Sequence, residues 1–173
     1  MTYRVCFVCT GNICRSPMAE YVFRARVREA GLADRVEIDS AGTGGWHEGE
    51  AADPRTVTVL RDGGYDCDHI ARRFRPSWFA RRDLVIALDA GHLRDLRRLA
   101  PTEDDARKVR LLRAYARRSP GVLAPDDPLG DDLDVPDPYY GGPDGFEECL
   151  EMVEKASIGL LAAVREHLEG RAA

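Results

Sequence analysis

Lysine is nearly missing from this chain: of 25 basic residues only Lys108 and Lys155 are lysine, which reads as genomic compositional bias. A single arginine therefore carries little weight unless its position singles it out. Long apolar runs are missing too. No window reaches the roughly 18 apolar residues of a membrane span, and the N-terminus lacks the basic and apolar regions of a signal peptide. The expected location is cytoplasmic, with no membrane partner. A net charge of −5 leaves no broad electrostatic reason to expect nucleic acid or an anionic membrane as the partner. An even cysteine set is also lacking: the five thiols at 6, 9, 14, 67 and 149 argue against a disulfide framework and fit a reducing compartment. Internal repeats and low-complexity tracts are absent.

What remains is a chain of 173 residues, 44% hydrophobic, sized for one domain over 1–173 with a real core. Apolar runs alternate with helical periods, as a parallel α/β sheet requires. Strands are predicted at Tyr3–Cys9, Val36–Ala41, Leu84–Leu88 and Val109–Leu112, the first and third reading as buried on both faces. Helices are predicted at about 17–31, 54–63 and 90–99. Ser16-Pro17, Asp53-Pro54 and Asp89 supply start signals, and Gly31 and Gly63-Gly64 supply stops. A last helix follows Asp144-Gly-Phe-Glu147, a capping-box-like start, with Phe146, Leu150, Val153, Ser157, Leu161, Val164 and Leu168 on one stripe. Residues 119–142, rich in Pro, Gly and Asp, form a long loop ending in Asp137-Pro-Tyr-Tyr-Gly-Gly-Pro143.

The stretch CTGNICRS, from Cys9 to Ser16, connects the first buried strand to the first helix. A loop this short can curl so that successive backbone N–H groups point inward, with the helix adding its positive dipole end. Gly11 and Asn12 suit the left-handed conformations such a curl needs. The result is an anion cradle with Cys9 at its rim, where amide dipoles, the helix end and Arg15 favour the thiolate. A thiolate beside a tetrahedral oxyanion can attack phosphorus in line while Arg15 holds two equatorial oxygens, giving a phosphocysteine. The leaving oxygen needs a proton, and Asp137 is the best-placed acid in sequence.

These residues resemble a known family. Cys9-x5-Arg15-Ser16 together with Asp137-Pro-Tyr-Tyr140 resembles the low-molecular-weight protein tyrosine phosphatases, and Asp39-Ser-Ala-Gly, His69-x-Ala-Arg and Leu84-x-x-x-Leu-Asp89 extend the likeness along nearly the whole chain. The resemblance implies a Rossmann-like, four-stranded parallel sheet flanked by helices on both faces, with no metal or cofactor. It implies Cys9 as nucleophile, Arg15 as clamp, Asp137 as general acid and then base, and Ser16 as hydrogen-bond donor to the thiolate. Thr10, Gly11, Asn12, Ile13, Cys14 and Ser16 would form the phosphate loop, with Asn12, Ser40 and His69 in a network that holds its shape. Thr10, Trp46, Tyr139 and Tyr140 would wall a slot deep enough to select phosphotyrosine over the shorter phosphoserine. The expected ligands are tyrosine-phosphorylated proteins, inorganic phosphate and oxyanion inhibitors.

Rival readings are weaker. Cys6-x-x-Cys9 on one strand points its two thiols to opposite faces, which disfavours a redox or zinc pair. Cys14 can come close enough to Cys9 to form a protective, reversible disulfide. Cys67 and Cys149 read as packing residues, Asp89 reads as a helix cap, and His47, His92 and His167 lack metal-ligand spacing. An arsenate reductase relays oxidation through mid-chain cysteines, but residues 68–148 hold none. A protein arginine phosphatase carries threonine where this chain has Ile13, and lacks the paired tyrosines. A non-catalytic phosphoprotein-binding module would not need Asp137.

Overall fold

The computed structural model describes residues 2–117 and 133–172. Its elements run β1 (Tyr3–Cys9), α1 (Arg15–Glu29), β2 (Val36–Gly42), α2 (Pro54–Asp62), β3 (Leu84–Ala87), α3 (Ala90–Leu99), α4 (Glu103–Arg107), β4 (Val109–Leu111) and α5 (Pro143–Ala172), with 3₁₀ turns at Pro76–Arg81 and Leu112–Arg117. The four strands are parallel in the order β2-β1-β3-β4. The four predicted strands are therefore present, β3 and β4 each one residue shorter and β2 one residue longer. The predicted long loop lies outside the described residues from 119 to 132.

Period-two alternation divides the core into two clusters. Tyr3, Val5, Phe7 and Cys9 of β1 pack with Ile38, Ile86 and helices α1, α2 and α5. Cys6 and Val8 face the other way, toward Phe74, Phe79 and the Leu93 and Leu96 face of α3. Cys6 and Cys9 thus sit on opposite sides of the sheet, as alternation demands. Asp53 and Asp89 cap α2 and α3 by accepting from the backbone N–H groups of Arg55 (2.9 Å) and His92 (2.8 Å). Gly31 (φ 74°) and Gly64 (φ 88°) follow their helices in the left-handed region, where a Cβ is costly.

Three expectations need correction. Ser16 does not cap α1: the N-cap is Cys14, without a side-chain bond, because the Ser16 hydroxyl turns to the Cys9 sulfur. Asp144 lies inside the first turn of α5, which starts at Pro143. The buried stripe of α5 also includes Cys149, Ala156, Leu160 and Ala163, while Leu150 and Leu161 are only partly buried. Small residues bring this helix against the Leu112–Arg117 turn, so a Cβ on Gly159 would lie 2.0 Å from the Tyr115 carbonyl oxygen. Gly159→Ala is predicted to cost about 2 kcal/mol through overpacking. Thermal unfolding would show this as a drop of about 4–8 °C; an unchanged midpoint would contradict the close approach.

Candidate active site

The loop from Cys9 to Arg15 leaves β1 at the carboxyl end of the sheet, the usual ligand side of parallel α/β proteins. Asn12, fully buried, adopts φ 59° and is the one described non-glycine residue with positive φ. Its side chain donates to Ser16 Oγ (2.8 Å) and Ser40 Oγ (3.0 Å) and accepts from the Arg72 backbone N–H (2.9 Å). Its carbonyl oxygen lies 2.7 Å from His69 Nε2, and since a carbonyl only accepts, that nitrogen carries the proton. Burial lowers the His69 pKa, against the pull of the Asn12 carbonyl and Glu20. Ser40 in turn donates to Glu20 Oε1 at 2.6 Å, and Arg24 holds the other carboxylate oxygen at 2.8 Å.

Gly11 does not take the left-handed conformation expected of it; close approach accounts for it, since a Cβ there would lie 2.9 Å from the His47 ring. At the loop's end, Ser16 Oγ is 2.9 Å and its backbone N–H 3.4 Å from Cys9 Sγ. Ser16 Oγ already accepts from Asn12, so its one proton goes to the sulfur at 2.9 Å or to the more distant Ala41 carbonyl at 3.4 Å. Cys14 is buried and its thiol is pushed up to about 12, by burial first and then by Asp53 and Cys9. Cys149 is likewise held near 12 by burial.

Arg15 is aimed by four groups. Nη1 donates to Asp89 Oδ2 and to the Val135 carbonyl, both at 2.9 Å, and Nη2 lies 3.5 Å from Thr10 Oγ1 and 3.7 Å from Asp137 Oδ2. Burial opposes its charge, but Cys9, Asp137 and Asp89 outweigh that and raise its pKa above the ordinary arginine value. Asp89 therefore both caps α3 and orients Arg15. Thr10 Oγ1 is 2.8 Å from His92 Nε2, and burial lowers the His92 pKa to about 4, so this ring is neutral near pH 7.

Asp137 reaches the same place from the segment before α5, with Oδ1 accepting from the Tyr139 backbone N–H at 3.0 Å. A cavity of about 330 Å³ brings Cys9, Cys14, Arg15 and Asp137 together under a rim of Trp46, Tyr139 and Tyr140, with Thr10, Ile13 and His47 also in its wall. Tyr139 and Tyr140 meet edge to face at 4.8 Å. Ser40 and His69 lie behind the loop, outside the cavity.

Sequence reasoning missed the pieces that join the loops. Asp53 donates its N–H to the Ile13 carbonyl at 2.9 Å and holds Arg55 through bonds of 3.0 and 2.9 Å. Arg55 donates to the Tyr139 carbonyl at 3.1 Å and lies over the Tyr139 and Phe146 rings at 5.2 and 4.6 Å. The roles of Glu20, Arg72 and His92 leave no mark in the sequence either, because each acts through a partner far away along the chain.

This geometry has close counterparts. The family described as "Low molecular weight phosphotyrosine protein phosphatase" matches residues 4–170. A low molecular weight protein-tyrosine-phosphatase of Streptomyces coelicolor is 75% identical over all of both chains. Low molecular weight protein-tyrosine phosphatase A of Mycobacterium tuberculosis is 48% identical over 95% of this chain and 93% of that one. A crystal structure of a protein tyrosine phosphatase from Entamoeba histolytica, with Hepes in its active site, superposes with a TM-score of 0.85 at 32% identity, covering 96% of this chain and 99% of its own. Since the match runs through both the Cys9–Arg15 loop and the Asp137 segment, the chain belongs to the low molecular weight protein tyrosine phosphatase family and is a protein tyrosine phosphatase.

Proposed function

We propose that Cys9, Arg15 and Asp137 carry the chemistry. The observation that supports this most is the sulfur itself: Cys9 Sγ faces two donors from Ser16 in the cavity that Arg15 and Asp137 share. The thiolate attacks phosphorus in line, the S–P bond forms and the P–O bond to the phenol breaks. Asp137, protonated at this stage, gives its proton to the departing oxygen. Arg15 holds two equatorial oxygens throughout, and the loop N–H groups bind the charge that they carry. In the second step the Asp137 carboxylate takes a proton from water, whose oxygen attacks phosphorus. The S–P bond breaks, releasing phosphate and restoring the thiolate.

Substrates on this reading are tyrosine-phosphorylated proteins, whose ring enters between Trp46 and the tyrosine pair. Inorganic phosphate and other oxyanions compete for the cradle. Cys14 serves as redox partner: an oxidant such as peroxide takes two electrons and two protons from the thiols of Cys9 and Cys14, leaving a disulfide that thiols reduce again. All five cysteines are free, which supports a reducing, cytoplasmic setting. None of the helices among the described residues is long and apolar enough to cross a membrane.

Phosphate release from p-nitrophenyl phosphate tests these roles. Cys9→Ser is expected to lose all measurable turnover while retaining phosphate binding, and Asp137→Ala to lose on the order of 10²–10⁴ in rate. Equal rates in all three proteins would end the assignment. Arg55 is proposed as a positioning residue for the acid. Arg55→Met is expected to lower kcat about 10-fold on phenyl phosphates with poor leaving groups, the scale of one charged hydrogen bond. It would do so less with good leaving groups, and add nothing in an Asp137→Ala background. Full additivity there would show that Arg55 acts by another route.

A further inference from the structure

Trp46 is 73% exposed, yet it divides two depressions: the catalytic cavity on one side and an open cleft of about 460 Å³ on the other. Thr43, Gly44, Gly45, Glu48 and Arg73 line the second cleft with it. The wall is held in place by glycine, because a Cβ on Gly44 would lie 1.8 Å from Trp46 Cζ3. The cleft's backbone is fastened to the catalytic loop: Thr43 N–H donates to the Cys9 carbonyl at 2.8 Å and Gly44 N–H to the Thr10 carbonyl at 3.1 Å. The distance between nucleophile and cleft is therefore fixed.

We propose that this cleft is a second substrate subsite, which binds an acidic side chain flanking the phosphotyrosine through the Arg73 guanidinium. The inference rests on the phosphotyrosine reading of the Cys9 cavity. Arg73 is exposed and has no carboxylate partner among the described residues, whereas the cleft's own acid, Glu48, is engaged by Arg75 at 3.4 Å. The Arg73 backbone is anchored, since Gly42 donates to the Arg72 carbonyl and accepts from the Phe74 N–H, both at 2.8 Å. Trp46 lines both depressions, and an extended peptide advances about 3.3 Å per residue, so a substrate that leaves the slot over Trp46 brings a residue beside the phosphotyrosine into this cleft. A carboxylate there meets a fork suited to bidentate pairing.

The test compares kcat/KM on phosphotyrosine peptides carrying Asp, Ala or Lys at the flanking positions, with p-nitrophenyl phosphate as a substrate too small to reach the cleft. Wild type is expected to prefer the acidic peptide over the neutral one by about 3- to 5-fold, the upper range for an exposed ion pair. The preference shrinks toward unity at 1 M salt, where the Debye length is about 3 Å. Arg73→Ala abolishes the preference and Arg73→Glu shifts it toward the Lys peptide, while both variants hydrolyse p-nitrophenyl phosphate at the wild-type rate. Indifference of the wild type to flanking charge, or an acidic preference that survives Arg73→Ala, overturns the subsite alone. Failure of wild type to hydrolyse even p-nitrophenyl phosphate overturns the reading beneath it as well.

Discussion

Asn12 occupies the left-handed region of backbone space with its side chain fully buried, and the loop from Cys9 to Arg15 keeps its curl because that conformation is held. Such a residue costs on the order of 1–3 kcal/mol unless its surroundings over-determine it. Here they do so from every side: Ser16 and Ser40 take its amide protons, the Arg72 N–H binds its side-chain oxygen and His69 binds its carbonyl. The four partners come from three places in the chain, so the loop is as rigid as the packing among α1, β2 and the segment that follows α2.

Rigidity at Asn12 has consequences at both ends of the loop. The Asn12 amide fixes the Ser16 hydroxyl as an acceptor 2.9 Å from the Cys9 sulfur, while α1 begins one residue earlier and carries Arg15 into the cavity. In the proposed mechanism Arg15 would be a poor clamp if it swung freely. Asp89 at the head of α3 and the Val135 carbonyl hold one nitrogen, and this leaves the other toward Thr10 and Asp137. The Asp137 segment is tied to the same frame through Arg55 and Asp53, whose backbone N–H reaches back to Ile13. Cys9, Arg15 and Asp137 are thus each held by contacts to neighbouring elements around one cavity.

The sheet, and the three residues proposed to carry the chemistry, stand out in the sequence because each leaves a local mark. Buried strands are apolar runs, the cradle is a short strand-to-helix loop, and Asp137 stands beside two tyrosines in a polar segment. The supporting residues leave no such mark. Glu20 looks like a surface residue of α1 until Ser40 and Arg24 are placed around it, and Asp53 looks like a plain helix cap although it also holds Arg55. Ser16 misled for the opposite reason: its position before Pro17 suits a cap, but a sulfur 2.9 Å away competes for the hydroxyl. The five-residue α4 and the two 3₁₀ turns are too short to generate a period.

The central claim is that the Asn12 network builds the anion cradle before any ligand arrives. The direct measurement is the calorimetric affinity for inorganic phosphate of Cys9→Ser against the same protein with Asn12→Ala, alongside thermal unfolding of both. A preformed cradle predicts that phosphate affinity falls by about 10-fold or more, the scale of one lost charge-assisted hydrogen bond, while unfolding stays cooperative. An unchanged affinity in the double variant would contradict it.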